Sequence, residues 1–190
     1  MLEDFQHRNT HLNFIIKAFY STINIVYLFL LKIFTKNKLM FSSPRLGKGL
    51  NITVSNEAVL DVNNLSSRKN LNIFVSQGAL VFKKNCFVNN NCSFNCLEYI
   101  QVGENTIFGE SVKIYDHDHL IDENYVVSKN DFVTSPVMIG ANCWIGSNTV
   151  ILKGVSIADN VIIGANSLVN KSILVSGIYV IKNGLLTKIK

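Results

Sequence analysis

Two histidines and two aspartates alternate in one short polar segment of the chain. The segment reads Asp116-His117-Asp118-His119 and follows the apolar residue Ile114. A neutral imidazole is well matched to removing a proton near neutral pH, and a nearby carboxylate can fix its tautomer. The pattern is therefore compatible with general base catalysis by one of the histidines. A histidine pair in a polar loop can equally be solvated, and these residues alone leave both interpretations open.

A strict six-residue repeat indicates the scaffold that carries this segment. An aliphatic residue returns at every sixth position in the C-terminal third of the chain. Periods of 3.6 and 2 mark single helices and strands, so a period of six indicates a stacked repeat with one inward anchor on each flat face. The predicted anchors are Ile139, Ile145, Ile151, Ile157, Ile163, Val169 and Val175.

Residues at the same position of successive repeats form a column, and two columns besides the anchors contain characteristic residue types. Small or β-branched residues follow each anchor by four positions and predict a second inward column: Cys143, Thr149, Val155, Val161, Ser167 and Ile173. Asn and Gly adopt left-handed backbone conformations at least cost, so the column three positions after each anchor predicts the corners between faces. This column contains Asn142, Asn148, Gly154, Asn160 and Asn166. The chain is predicted to be an all-β solenoid.

The same register can be followed towards the N-terminus, with two interruptions. It passes through Val102, Phe108 and Ile114, and less regularly through Leu80, Cys86 and Cys92. Four surplus residues occur at 95–98, and a polar excursion runs over 115–136. Loops that leave a regular scaffold commonly carry binding and chemical groups. We therefore predict an N-terminal segment (1–45), a solenoid domain (46–180) with one protruding loop, and a tail (181–190).

Composition limits the remaining possibilities. A chain of 190 residues with 48% hydrophobic content can bury one substantial core. The net charge of +5 suits an anionic partner, but no basic run with interleaved aromatics marks a nucleic-acid surface, so no nucleic-acid partner is expected. The four cysteines form no Cys-x-x-Cys pair, and no secretory cleavage pattern is visible. The expected location is therefore the cytoplasm.

The N-terminal segment has a different pattern. Residues 12–34 are strongly apolar, yet a narrow polar stripe recurs at helical spacing: Asn13, Lys17, Tyr20, Asn24 and Tyr27. This predicts an amphipathic helix or helix pair. A membrane-spanning helix needs about twenty predominantly apolar residues, and Lys17 and Asn24 argue against one. Packing on the solenoid or on a neighbouring subunit, and peripheral contact of residues 12–34 with the inner face of a membrane, both remain open.

The repeat segment also resembles a known family. Pro136 to Lys171 is similar to the hexapeptide-repeat acyltransferases, and most similar to the galactoside and maltose O-acetyltransferases and the O-acetyltransferases of bacterial surface polysaccharides. The residues that carry the resemblance are Ile139-Gly140-Ala141-Asn142-Cys143-Trp144-Ile145-Gly146-Ser147 and Ile163-Gly164-Ala165-Asn166-Ser167. The resemblance extends over roughly Leu46 to Lys171. It implies a left-handed parallel β-helix, a homotrimer with active sites between neighbouring subunits, acetyl-CoA as the donor, and no metal.

The resemblance also assigns roles to the acceptor side of the site. In the family, a loop histidine acts as the general base on the acceptor hydroxyl. Counting from Val102 without a gap places this histidine at His119 and leaves His117 as a neighbour. Counting backwards places the family's acceptor-binding asparagine at Asn89, within a run of three asparagines that also fits a solvated ladder. Trp144 is expected to face outwards and to pack on the acceptor or on the pantetheine arm of coenzyme A.

Further positions match the family's coenzyme groove. Ser147 resembles the residue that lies near the thioester, and Ala165, Asn170 and Lys171 match positions along the extended arm. The implied reaction is direct transfer to a sugar hydroxyl, with donors near Ser147 stabilising the oxyanion. Cys143 is expected to point inwards and is therefore a poor nucleophile. After Lys171 the chain lacks the family's proline-rich segment, so we assign no residue there to the coenzyme's nucleotide.

Two other functions remain open at the level of sequence. Solenoids of this kind can also hold zinc in carbonic-anhydrase-like enzymes, with His117 and His119 supplying two ligands and His7 or His11 a third. Alternatively, the chain is a non-catalytic, trimeric assembly module whose N-terminal helix binds a membrane or a partner. The second alternative predicts that His119→Ala leaves the biological effect intact.

Overall fold

The computed structural model describes residues 10–35, 38–55 and 57–190, which form one helix and a triangular β-solenoid. Helix α1 spans Thr10–Phe34. The first face contains β1 (Leu39–Met40), β3 (Val59–Asp61), β6 (Ala79–Phe82), β9 (Tyr99–Val102), β14 (Val137–Ile139) and β17 (Ser156–Ile157). The second face contains β4 (Ser66–Ser67), β7 (Phe87–Val88), β10 (Ile107–Phe108), β15 (Trp144–Ile145), β18 (Val161–Ile163), β20 (Gly177–Lys182) and β21 (Leu185–Lys188). The third face contains β2 (Asn51–Val54), β5 (Asn72–Val75), β8 (Ser93–Cys96), β11 (Lys113–Tyr115), β16 (Val150–Ile151) and β19 (Leu168–Val169).

The chain visits the three faces in the same order on every coil. Neighbouring strands of a face come from successive coils and pair in parallel, so the structure is a parallel solenoid of about seven coils. The first coil includes β1 and therefore starts before Leu46. At the other end, β20 and β21 form an antiparallel hairpin, so residues 181–190 continue the second face.

Both predicted inward columns lie in the core. The anchors from Ile139 to Val169 are buried, and so is every residue of the second column from Cys143 to Ile173. Phe82, Phe94 and Phe108 fill the middle of the core with edge-to-face contacts, at centroid distances of 4.9 and 5.3 Å. Alternation along short strands places one residue type inside and the next outside, and this explains why the six-residue period predicted the core correctly.

The predicted corners also have the expected backbone conformation. All five residues of the Asn/Gly column from Asn142 to Asn166 have positive φ, between 54° and 76°. Asn105 and Ser111 continue the same conformation on the preceding coil. The side chains of successive corner asparagines also bond to each other, as in the contact from Asn148 Nδ2 to Asn166 Oδ1 at 3.1 Å.

One predicted anchor is wrong. Val175 is 59% exposed. Ile173 takes the inward position on the first face, because it pairs with Ile157 of the preceding coil. The last coil is therefore closed earlier than the six-residue count predicts, and Val175 lies at the surface before β20 begins.

Helix α1 is a single helix that packs on the first coil through its polar stripe. Asn24 is buried and donates two hydrogen bonds of 2.8 Å, to the main-chain oxygens of Leu46 and Gly47. Tyr27 donates to the oxygen of Ile52, and Leu28 is fully buried. The segment Leu12–Phe34 is long and apolar enough to cross a bilayer, with a mean hydropathy of 1.8, and most of its side chains are not buried.

The apolar side of α1 faces away from the protein. Phe14, Phe19, Phe29, Ile33 and Phe34 are each more than half exposed. A helix on the surface of a water-soluble domain normally buries its apolar face and exposes its polar face. In α1 this arrangement is reversed, because the polar stripe supplies the hydrogen bonds to the first coil.

Candidate functional site

The polar excursion is a β-hairpin that leaves the solenoid at the corner between the third and first faces. Its strands are β12 (His117–Ile121) and β13 (Val127–Thr134). They pair antiparallel, with His117 opposite Thr134 and His119 opposite Phe132. The hairpin follows β11 and precedes β14, so His117 lies in the first residue pair at the solenoid end and His119 lies two residue pairs further out.

His119 is held by one hydrogen bond and one ring contact. Its Nδ1 lies 2.9 Å from the main-chain oxygen of Ser128. A carbonyl oxygen only accepts, so Nδ1 carries the hydrogen and donates, and in the neutral ring Nε2 is left as the acceptor. The ring of Phe132 packs on the imidazole at a centroid distance of 4.7 Å. The side chain is otherwise exposed, so Nε2 is available to accept a proton from a substrate.

His117 has a different environment. Its Nδ1 lies 2.9 Å from Oδ1 of Asp116, and its ring contacts Tyr115 and Phe132 edge-on. Only 14% of its side chain is exposed. The carboxylate and the surrounding rings fix His117 at the base of the hairpin, while His119 lies further out.

Asp116 connects the two interruptions of the repeat. Its carboxylate is fully buried and accepts hydrogen bonds from the main-chain N–H groups of Leu97, Glu98 and Tyr99 at 2.8–3.1 Å. Charge-assisted bonds from several N–H groups offset the cost of burying a carboxylate. Asp116 therefore closes the turn formed by the surplus residues 95–98 and, through His117, fixes the base of the hairpin.

Asn89 lies at the corner between the second and third faces. It follows β7, and its N–H donates to the oxygen of Phe108 on the next coil. Its Oδ1 accepts from the N–H of Asn90 at 2.9 Å. Asn90 and Asn91 bond to neighbouring coils, through Glu110 and Asn70 respectively. The run of three asparagines is thus divided between a ladder, formed by Asn90 and Asn91, and Asn89 beside it.

Trp144 projects from the second face, as its place in the repeat predicts. It is 51% exposed and stands between Ile107 and Ile162 of the adjacent coils. Its neighbour Cys143 is buried, and burial raises the pKa of the Cys143 thiol. Cys143 is therefore protonated and enclosed, as expected for a structural cysteine and not for a nucleophile.

The remaining predicted site residues fall at two different corners. Ser147 and Ala165 lie at the corner between the second and third faces, on successive coils of the Asn90 column, and Ser147 Oγ accepts from the N–H of Glu110. Asn170 and Lys171 follow β19 and lie at the corner where the hairpin leaves the solenoid. The third face and its corner residue, about six residues and at most roughly 20 Å of chain, separate these two corners. Within one chain, His119 and Lys171 are therefore on one side of the third face, and Asn89, Ser147 and Ala165 are on the other.

An ion pair ties the hairpin to the solenoid at this corner. Asp118 Oδ2 lies 2.9 Å from Nζ of Lys153. Asp118 is 54% exposed, so the pair orients the hairpin and contributes little to stability.

The described residues contain no group of three or more His, Cys, Asp or Glu side chains that could hold a metal ion. His7 lies outside the described residues, and the side chain of His11 is not described either. A third zinc ligand beside His117 and His119 is therefore not found among the side chains that the structure describes.

Three contributors to the site were not predicted from the sequence. Asp116 was visible only as a polar neighbour of the histidines, and its bonds to residues 97–99 depend on the stacking of two coils. Phe132 lies in the excursion, outside the repeat register, so the repeat could not place it. An aromatic residue among polar ones is a weak signal of a contact. Ser128 acts through its main-chain oxygen, which every residue type has, so no sequence signal could identify it.

Comparisons with known proteins agree with the architecture. Residues 136–171 match the family described as bacterial transferase hexapeptide (six repeats). A maltose O-acetyltransferase from Clostridium difficile 630 is 25% identical, with a TM-score of 0.52, over 83% of this chain and 73% of that chain. A search of curated protein sequences gave no match.

Two further solved structures share the fold at lower identity. A hexapeptide-repeat acetyltransferase from Vibrio cholerae O1 biovar eltor, complexed with acetyl coenzyme A, is 17% identical with a TM-score of 0.51, over 80% of this chain and 72% of that one. The third is a variant of the N-acyltransferase AntD from Bacillus cereus, in complex with dTDP-4-amino-4,6-dideoxyglucose and coenzyme A. It is 17% identical with a TM-score of 0.52, over 80% of this chain and 82% of that chain.

The matched repeats and these neighbours define the class of protein. The chain has the hexapeptide-repeat fold of the left-handed β-helix acetyltransferases. The similarity to the maltose O-acetyltransferase supports acyl transfer.

Proposed function

We propose that this protein is an acetyl-CoA-dependent O-acetyltransferase that acts on a sugar hydroxyl of a bacterial surface polysaccharide, such as a capsule, an O-antigen or a related glycan. The observation that carries the proposal is the hydrogen bond from His119 Nδ1 to the main-chain oxygen of Ser128. It selects the tautomer in which Nε2 is unprotonated, on an exposed ring whose orientation Phe132 restricts. This is the arrangement that a general base needs.

The reaction proceeds by direct transfer. Nε2 of His119 removes the proton of the acceptor hydroxyl while the oxygen attacks the thioester carbonyl. Donors near Ser147 stabilise the tetrahedral oxyanion. As the intermediate collapses, the C–S bond breaks and the imidazolium returns its proton to the departing thiolate, so coenzyme A leaves as the free thiol.

The active site is formed between subunits of a homotrimer. Support comes from the separation of the predicted residues within one chain, where the third face lies between His119 and the corner that carries Asn89 and Ser147. A neighbouring copy that presents its own corner of Asn89, Ser147 and Ala165 to this hairpin completes the set. Trp144 then offers an apolar contact to the pantetheine arm or the acceptor, and Asn170 and Lys171 flank the arm from the hairpin side.

The enzyme works in the cytoplasm, at the inner face of the membrane. The reversed orientation of α1 supports this location, because residues 12–34 present an apolar surface that a bilayer interface would cover. Asn24 and Tyr27 hold the helix along the first coil, which favours peripheral contact over a spanning orientation that would draw the polar solenoid into hydrocarbon.

The test compares the two histidines. We expect purified His119→Ala to lose about 10²- to 10⁴-fold in turnover with a sugar acceptor and acetyl-CoA, with an unchanged thermal unfolding midpoint because the side chain is exposed. His117→Gln is the comparison variant, because it removes the second imidazole but keeps a polar side chain beside Asp116, and it should retain more turnover than His119→Ala. Mass spectrometry of the surface glycan, with and without the gene, should show the loss of one acetyl group. Normal acetylation by His119→Ala would contradict the proposed function.

A further inference from the structure

A basic groove lies between α1 and the first three coils. Its volume is about 1090 Å³. Five cationic residues line it, and none of the described lining residues is acidic: Lys17, Arg45, Lys48, Arg68 and Lys69. The groove is thus suited to an anionic group, and phosphate is the anion that both lysine and arginine bind well.

The cations are available to a ligand. None of the five forms an ion pair with a residue that the structure describes. Nζ of Lys48 lies 5.7 Å from the ring of Tyr20, and the guanidinium of Arg68 lies 5.9 Å from the ring of Phe87. Such cation–π contacts orient a side chain without neutralising its charge.

The groove also has an apolar border. Phe14 and Ile16 of α1 line it and belong to the exposed apolar side of the helix. A ligand with an anionic group over the cations would therefore have an extended apolar surface beside it. The complementary molecule is an amphiphile that combines a phosphate with an apolar chain, and not a free anion.

The groove leads towards the predicted acceptor site. Phe87 and Asn90, which line it, lie on either side of the Val88-Asn89 pair. The N–H of Arg68 bonds to the oxygen of Val88, so Arg68 and Asn89 occupy the same column on successive coils, about 4.8 Å apart along the solenoid. A group attached to a phosphate held by Arg68 and Lys69 would therefore reach Asn89 first.

From this continuity we infer that the groove binds the phosphate or diphosphate that links the acceptor glycan to an apolar membrane anchor. The anchor lies along α1, the phosphate contacts Lys48, Arg68 and Lys69, and the sugar extends past Asn89. The inference rests on the proposed function, because it names the form in which the glycan acceptor reaches the same site.

The experiment measures binding by the full chain to a polyisoprenyl diphosphate in neutral detergent micelles. The test variant combines Arg68→Glu and Lys69→Glu. The control combines Lys83→Glu and Lys84→Glu, an adjacent exposed pair at another corner of the solenoid, and it changes the net charge equally. We expect the test variant to bind about thirtyfold more weakly or worse, and the control to bind within about twofold of the unmodified protein. Lys48→Glu provides a second test if the double variant fails to fold.

Several results would overturn the inference. Equal losses in both double variants would mean that only net charge matters. Equal binding of phosphatidylglycerol micelles would make the groove a general lipid contact, and equal binding of inorganic diphosphate would make it a site for a free anion. A change of oligomeric mass in the groove variants, measured by light scattering, would make it a subunit interface.

The proposed acetyltransferase function and the inferred lipid-linked acceptor can be tested independently. Binding of the polyisoprenyl diphosphate does not require acetyl transfer, so His119→Ala should bind it normally. If the unmodified protein acetylates a soluble sugar but does not bind the polyisoprenyl diphosphate, only the inference of a lipid-linked acceptor is overturned. Normal binding without acetylation of any sugar would overturn only the proposed function.

Discussion

His119 and Ser128 are joined across the hairpin by a hydrogen bond of 2.9 Å from the imidazole Nδ1–H to a main-chain oxygen. The register of β12 and β13 produces this contact and also places Phe132 against the same ring. Ser128 lies in the bulge where the register of the two strands shifts, and its hydroxyl donates to the Asp131 carboxylate and accepts from the N–H of Asp131, which restrains this acceptor. The hairpin therefore sets both the tautomer and the direction of the imidazole.

Phe132 is expected to be a positioning residue for His119. Phe132→Ala should lower kcat about tenfold to hundredfold, because a loosened imidazole is misaligned with the reacting hydroxyl. KM for acetyl-CoA should change little. Phe132→Tyr keeps the ring and should restore kcat. Since Phe132 is 39% exposed, the unfolding midpoint should be similar in both variants. Equal kcat in Phe132→Ala and the unmodified protein would contradict this role.

Asp116 is expected to contribute strongly to stability. Asp116→Asn replaces one acceptor oxygen with a donor that faces the N–H groups of residues 97–99. We therefore expect the free energy of unfolding, measured in urea, to fall by about 2–4 kcal/mol. Asp118→Asn is the matched control, because it removes a carboxylate from an exposed ion pair with Lys153. It should cost at most about 1 kcal/mol. A similar loss of unfolding free energy in both variants would mean that the buried hydrogen bonds of Asp116 contribute no more than an exposed ion pair.

At Asn148, the contribution of the left-handed backbone to stability can be separated from the contribution of the side chain. Its φ is 58°, and its amide donates to Asn166. Asn148→Ala and Asn148→Gly both lose that bond, but only alanine is strained at positive φ. We expect alanine to be less stable than glycine by about 1–2 kcal/mol in urea unfolding. Equal stability of the two variants would show that the asparagine ladder, and not the backbone, fixes the corner.

The buried thiols should make stability depend on alkaline pH. Burial raises the pKa of Cys86 and of Cys92 to about 11, from an ordinary value of 9.0. The folded protein therefore keeps both thiols protonated while the unfolded chain ionises. Their contribution is fully present below pH 9.0 and is lost as the pH rises to about 11. Each thiol accounts for on the order of 2 kcal/mol of this change.

Urea unfolding at pH 8 and pH 10.5 measures this loss. The variant with Cys86→Ala and Cys92→Ala should show a smaller difference between the two pH values than the unmodified protein. A thiol-labelling reagent at pH 8 should react with Cys86 and Cys92 only after unfolding. Rapid labelling of the folded protein would mean that these thiols are accessible.

The sequence predicted the solenoid because its repeat is local. Each six-residue unit specifies its own inward residues and its own corner, so Ile139, Cys143 and Asn142 could be placed without knowledge of the rest of the chain. The count failed at Val175, because pairing with the preceding coil, and not the period, decides which residue closes the last coil. The candidate residues could be named by resemblance, but their contacts could not.

The sequence by itself determined the core columns, the corners and the outward position of Trp144, and its resemblance to the family predicts His119 as the general base. Only the tertiary structure decided that Asp116 joins the two interruptions, that Ser128 orients His119, and that α1 turns its polar stripe towards the first coil. The physical reason is the range of the interactions. Periodicity records which side chains alternate along a strand, whereas hydrogen bonds between coils, across a hairpin or from a helix to a coil depend on atoms that are distant in sequence.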